Sequence, residues 1–243
     1  MAEPTPIHPD ARRYGTRHPV TPIVWHDFVR ATRQVWFDTT LGEWRTQLAR
    51  LTRAGAHPIS LPDLASYLRT GRPLPPPGAC LLCFDDNTSG IFDIAAPALR
   101  KRRWPFVVSA HTAYIGIRTG KPHNSYEILR SLEQDGATIV SQTHTHPADL
   151  RRLSTEALTR EFVRSRDLLA RNLGHSVPYV TYPSGKWDDR VTRAAAAAGY
   201  LLGLTEDYGA AETSPHTLAV HRFSSHRRFD EAVRAIARSA ENG

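Results

Sequence analysis

The residues able to do chemistry are concentrated in three short stretches. The first is Ala79-Cys80-Leu81-Leu82-Cys83-Phe84-Asp85-Asp86, an unbroken run of small and apolar residues that ends in two carboxylates. Adjacent acids cannot both hold a low-energy charge without a cation or a proton between them. The second is Ser141-Gln142-Thr143-His144-Thr145-His146-Pro147. On extended backbone His144 and His146 point the same way, whereas a helical turn would bring Gln142 and His146 together. Imidazoles near paired carboxylates suit zinc or another divalent first-row ion. The chain has twelve histidines, so one alone signals little, and two in one loop signal more. The third stretch is Tyr182-Pro183-Ser184-Gly185-Lys186-Trp187-Asp188. Its Pro and Gly force a tight loop with exposed N–H groups, donors of the kind that hold an oxyanion. Taken alone, it is equally an ordinary turn with Asp188 capping the next helix.

The elements around these stretches alternate strand and helix. Pro22 to Asp27 reads as a first strand ending in His26-Asp27, and Thr40 with Glu43 forms a capping box that opens a helix. The Pro-rich stretch from Pro73 to Gly78 leads into the apolar run, which reads as a buried parallel strand. Further strands are expected at 106–110, 138–141, 179–182 and 200–204, with helices at 91–102, 155–173, 188–198 and 229–240 between and after them. About seven such units in one chain predict a parallel sheet closed like a barrel, with its chemistry at the carboxyl ends of the strands. Residues 1–19, with four prolines and few apolar groups, read as an extended arm, and 20–243 as one domain.

Composition narrows the function classes. Lys and Arg exceed Asp and Glu by 31 to 24, but the excess is scattered arginine without basic runs or interleaved aromatics. That is a solvated surface, not a nucleic-acid footprint, although it leaves room for an acidic substrate. Cys80 and Cys83 lie three apart on one expected strand and therefore on opposite faces, which argues against both a disulfide between them and a zinc knuckle. Buried free thiols, no signal-like N-terminus and no membrane-span-length apolar stretch point to a soluble, cytoplasmic protein.

Taken in order, the three stretches resemble the motifs of the NodB-type polysaccharide deacetylases, carbohydrate esterase family 4. Phe84-Asp85-Asp86 is similar to its Thr-Phe-Asp-Asp-Gly motif, Ser141 to Pro147 to Ser-His-Thr-x-x-His-Pro, and Tyr182-Pro183-Ser184-Gly185 to Tyr-Pro-Tyr-Gly. The resemblance runs from about Pro22 to the last helix. It implies a distorted (β/α)7 barrel of the NodB-homology type that removes acetyl groups from N-acetylated saccharides. It further implies Asp85 as general base, Asp86 and His146 as ligands of a divalent metal, zinc first, and the Ser184 N–H as an oxyanion donor.

The departures leave alternatives open. Gln142 stands where the family has its first metal histidine, so either His144 replaces it, or Gln142 coordinates weakly, or no metal binds. Asn87 replaces a glycine, Ser184 an aromatic residue, and no arginine precedes Pro183 near Val180. Arg222 matches an arginine common near the end of such domains. The general acid falls to His221, one residue out of register with the family's Leu-x-His, or to His26 at a strand end. Three readings follow: a metal-assisted sugar deacetylase, a metal-independent amidohydrolase acting on a small non-sugar amide, and an inactive saccharide-binding protein.

Overall fold

The computed structural model describes residues 3–118 and 120–242. Its strands are β1 (Thr21–Trp25), β2 (Phe28–Val29), β3 (Thr39–Thr40), β4 (His57–Pro58), β5 (Ala79–Phe84), β6 (Phe106–Ala110), β7 (Ala137–Ser141), β8 (Tyr179–Thr181), β9 (Leu202–Leu204) and β10 (Phe223–Ser224). The helices are α1 (Pro9–Gly15), α2 (Leu41–Arg53), α3 (Leu61–Thr70), α4 (Ala96–Arg102), α5 (Tyr126–Gln134), α6 (Thr155–Leu173), α7 (Asp189–Ala197) and α8 (Phe229–Glu241). The capping box at Thr40 and Glu43 forms as expected, and Ser125, Ser154 and Asp188 cap α5, α6 and α7. The expected helix over 91–102 splits into a π turn, Ile91–Ala95, and α4.

The main sheet is parallel, in the order β10-β1-β5-β6-β7-β8-β9, with β4 added beside β5. Closure comes from the segment before β10. Val220 bridges Leu204 in parallel, and its C=O accepts the Thr205 N–H at 2.9 Å. The same segment then enters β10 and pairs with β1. One stretch of chain thus touches both edges of the sheet and closes the distorted (β/α)7 barrel.

Both faces of β5 are buried, which is why its sequence is an unbroken apolar run. Cys80, Leu82 and Phe84 face the outer helices, in one cluster with Trp25, Trp44 and Ile236. Ala79, Leu81 and Cys83 face the interior with Val24, Val107, Val140 and Leu204, and Leu64 of α3 and Ala11 of α1 complete that core. The two cysteines are accordingly free, buried and on opposite faces.

The arm is not extended throughout. Pro9 sits in the first turn of α1 with the His8 side chain capping it, a position where the missing proline N–H costs nothing. Arg12 ties α1 down by donating to the carbonyls of Glu212 (3.0 Å) and Ser214 (2.8 Å). Met1 and Ala2 lie outside the described residues. No helix among the described residues is long and apolar enough to cross a membrane.

This junction buries an acid. Glu212 is 4% exposed, and both its oxygens accept the Val20 N–H at 3.2 Å. Burial pushes its carboxyl up to about 7. A raised folded-state value means that stability is fully present below the ordinary value near 4.5 and is lost as pH rises through about 7. Between pH 5 and 8 this one group is expected to cost about 2–4 kcal/mol. Denaturant titrations should show that loss in the wild type and its removal in Glu212→Gln; equal pH dependence in both would show that the acid is not strained.

Candidate active site

The inward-facing alternation of the strands continues past their ends. Beyond Cys83, Val107 and Tyr179, the next inward positions are Asp85, Ser109 and Thr181, and they form a polar layer over the apolar barrel interior. Ser109 Oγ donates to Asp85 Oδ1 at 2.9 Å and lies 2.8 Å from Thr181 Oγ1. Arg222, whose side chain is fully buried, completes the layer. Its two terminal nitrogens donate to Asp85 Oδ1 (3.0 Å) and Oδ2 (2.9 Å), and its Nε donates to the Thr205 carbonyl (2.6 Å). Burial works against the Asp85 charge, but the Arg222 guanidinium outweighs it and holds the carboxyl below the usual carboxylate range. The arginine missing beside Val180 is therefore replaced from the closing segment.

Asp86 takes the opposite environment. Asp86 (φ 71°) and Asn87 (φ 52°) form a left-handed turn. Asparagine is tolerated there, and Asn87 Nδ2 secures the turn on the Asn124 carbonyl (3.1 Å), which explains how the family glycine is dispensed with. The turn places Asp86 in a group with His111 and His146, whose candidate ligand atoms lie within 4.8 Å of one another. Five of the six non-glycine residues with positive φ among the described residues (Asp86, Asn87, Thr143, His146, Ser184) lie in these loops. Such strain gathers where a fold holds side chains for function.

The structure places the other two expected ligands differently, Gln142 beside the group and His144 away from it. Gln142 Oε1 accepts the Asp86 N–H (2.9 Å), while its Nε2 donates to Asp86 Oδ1 (2.9 Å) and lies 3.3 Å from His146 Nε2. One lone pair of the amide oxygen is thus engaged by the backbone, and in this arrangement the amide braces Asp86 at the edge of the group. His144 is turned out of the group because Thr143 (φ 64°) breaks the extended backbone on which its orientation depended. Its Nδ1 pairs with Thr112 Oγ1 at 2.8 Å, and its N–H donates to Glu161. His111 stands in its place. It follows β6 directly, at the same strand edge as the motif residues, and that position was the signal in the sequence.

A cleft of about 440 Å³ opens above, lined by Asp86, His146, Ser184, His26 and Glu206 among others. Among the described residues the Ser184 N–H makes no backbone hydrogen bond outside its own 3-10 turn, Pro183–Gly185. Gly185 beside it has φ 63°, and a Cβ there would meet the Glu206 backbone nitrogen at 2.6 Å, so the turn requires glycine. His26 Nε2 lies 3.6 Å from Glu206 Oε1, and these two form a second close group with Asp85. Burial disfavours charge on His26, yet Glu206, Asp86 and Asp85 together raise its pKa. His221 does not reach the cleft: its Nδ1 is 3.1 Å from Thr213 Oγ1 and its N–H donates to Ser214 Oγ. Of the two acid candidates, the structure brings only His26 to the site.

The Asp86, His111 and His146 set has the donor chemistry of a divalent-cation site once the Gln142 NH2, which now faces Asp86 Oδ1 and His146 Nε2, turns aside. Asp86 Oδ1 and His146 Nε2 are 3.7 Å apart, near the ~3.3 Å edge of a tetrahedron with ~2 Å bonds. His111 has a buried Nδ1 with no hydrogen-bond partner among the described residues. Burial, then the neighbouring His146, push His111 down to about 4, so it is neutral and able to ligate at neutral pH.

Residues 74–203, just over half of the chain, match the polysaccharide deacetylase family, and the chain belongs to that family. This is a family of hydrolases acting on the carbon–nitrogen bond of acetylated saccharides. YxkH of Bacillus subtilis, named as a polysaccharide deacetylase, is 28% identical over 162 residues, covering 66% of this chain and 56% of that protein. The chain therefore spans little more than half the length of that curated relative. The fold is shared with the Streptococcus pyogenes deacetylase PplD, solved in complex with acetate (TM-score 0.78, 22% identity, 85% of this chain and 92% of that one). IcaB from Ammonifex degensii is similar to the same degree (TM-score 0.78, 18% identity, 90% of this chain and 97% of that one).

Proposed function

We propose that the protein hydrolyses the acetamido group of an N-acetylated saccharide, releasing acetate and a free amine. The observation that carries this reading is the division of the acid pair, with Asp85 locked onto Arg222 and Asp86 set among imidazoles at one cleft. Held ionised, Asp85 takes the proton from the attacking water. The Ser184 N–H receives the oxyanion that develops on the amide carbonyl. His26, whose pKa Glu206 and the two aspartates raise against its burial, delivers a proton to the departing amine. Asp86, His111 and His146 would hold a divalent metal, which would polarise the carbonyl and acidify the water. Acetate, bound in the PplD structure, is the acyl product of such a reaction.

Acetate and new amine should appear in equal amounts when the protein is given chitin or peptidoglycan oligomers. Release from neither glycan would overturn the proposal. The Gln142 amide, donating to Asp86 Oδ1 beside His146, favours a second reading in which amide hydrolysis proceeds without a metal. Activity that survives exhaustive chelation would select that reading.

The His26 assignment has a pH signature. An acid must be protonated, so activity should fall as pH rises through the raised His26 pKa. Glu206→Gln removes one of the groups that raise it, and the alkaline limb should move to lower pH. An unmoved limb would exclude His26 as the acid.

A further inference from the structure

The active-site cleft continues past His26. Trp36, His226, Arg227 and Arg228 line both this cleft and an adjoining groove of about 810 Å³ between α2 and α8. The loop that presents Trp36 is braced: Asp38 accepts the N–H groups of Gln34 (2.8 Å) and Val35 (3.0 Å) and pairs with Lys121, which also binds Asp27 (2.8 Å). Held in this way, Trp36 is nonetheless 58% exposed, and Tyr208, also lining the cleft, is 50% exposed. Fixed, exposed rings beside a saccharide site offer apolar faces for the C–H faces of sugar rings, without a large ordering cost on binding.

The charges in the groove are unevenly matched. Its acids are already engaged, Glu43 with Arg33, Asp230 with Arg50 (2.7 Å) and Glu231 with Arg228 (2.8 Å). Arg227 and Arg234 form no ion pair among the described residues. The Arg227 guanidinium lies 4.7 Å above the Trp36 ring, which orients its planar fork at the junction of the two cavities. Such a fork matches a carboxylate or phosphate in two-pronged fashion. We propose that this groove is the subsite next to the acetamido sugar, and that it receives a sugar bearing an anionic substituent, a carboxylate or a phosphate, on Arg227 above Trp36. This inference rests on the deacetylase reading and names the charge class of its substrate.

The test is calorimetric binding of three tetrasaccharides to the whole protein, with acetate release followed in parallel. One is neutral chitotetraose, one alternates N-acetylglucosamine with N-acetylmuramic acid, and one is chitotetraose phosphorylated at the 6-positions. At low salt at least one charged glycan should bind roughly tenfold tighter than the neutral one, and the better of the two identifies carboxylate or phosphate. The ratio should collapse in Arg227→Gln and return in part in Arg227→Lys. Equal binding of all three, or a ratio unchanged in Arg227→Gln, would overturn the subsite. A retained ratio with no acetate from any glycan would instead sink the deacetylase reading and leave the binding site standing.

Discussion

Asp85→Asn is expected to lower kcat/KM for acetate release by about 10²–10⁴-fold, the contribution of a positioned general base. Asparagine has nearly the shape of aspartate and can still accept from Ser109, which donates to Oδ1 at 2.9 Å in the wild type. What it cannot do is hold a proton taken from water. Because Arg222 then keeps a buried charge without its counter-ion, the variant should also be less stable. The assay therefore belongs well below its melting temperature, with circular dichroism as the check on folding. Ser109→Ala, which removes one neutral donor and leaves the ion pair, should lose far less activity. Near-wild-type turnover by Asp85→Asn would remove Asp85 from the chemistry.

The second large effect is on stability. Arg222→Leu leaves the Asp85 carboxylate, 2% exposed, without a cation. Breaking a buried pair in this way typically costs about 3–5 kcal/mol. The sign with pH is distinctive. In the wild type the lowered Asp85 pKa contributes stability above the ordinary carboxylate value near 3.8, and that stability is lost as pH falls through the lower folded value. Without Arg222 the same carboxyl is raised by burial, so its penalty grows as pH rises. The stability gap between wild type and Arg222→Leu should therefore widen from pH 4 to pH 7 in denaturant titrations. A gap of under ~1 kcal/mol at pH 7 would show that the pair is screened.

The strand-borne part of this arrangement was legible in the sequence. The apolar run into Asp85 and Asp86 read as a buried parallel strand, as it is, and inward alternation then carries Asp85 to the barrel mouth. The loop-borne part was not. The orientation of His144 depended on extended backbone, and the left-handed Thr143 reversed it. Arg222 lies 137 residues from Asp85, and only closure of the barrel brings it there, whereas His111 reaches Asp86 because β6 pairs directly with β5. The arm failed for a local reason: Pro9, read as a mark of extended chain, is equally at home in the first turn of a helix. For Gln142 the sequence left the role open, because it depends on which way the amide faces; here its oxygen accepts the Asp86 N–H.

The site stands or falls on the metal content of the purified protein, measured by elemental analysis after loading with zinc, nickel and cobalt in turn. About one ion per chain is expected, lost in Asp86→Ala, His111→Ala and His146→Ala and kept in His144→Ala. No retained ion under any loading, or equal loss in His144→Ala, would contradict the assignment of Asp86, His111 and His146 as the metal site.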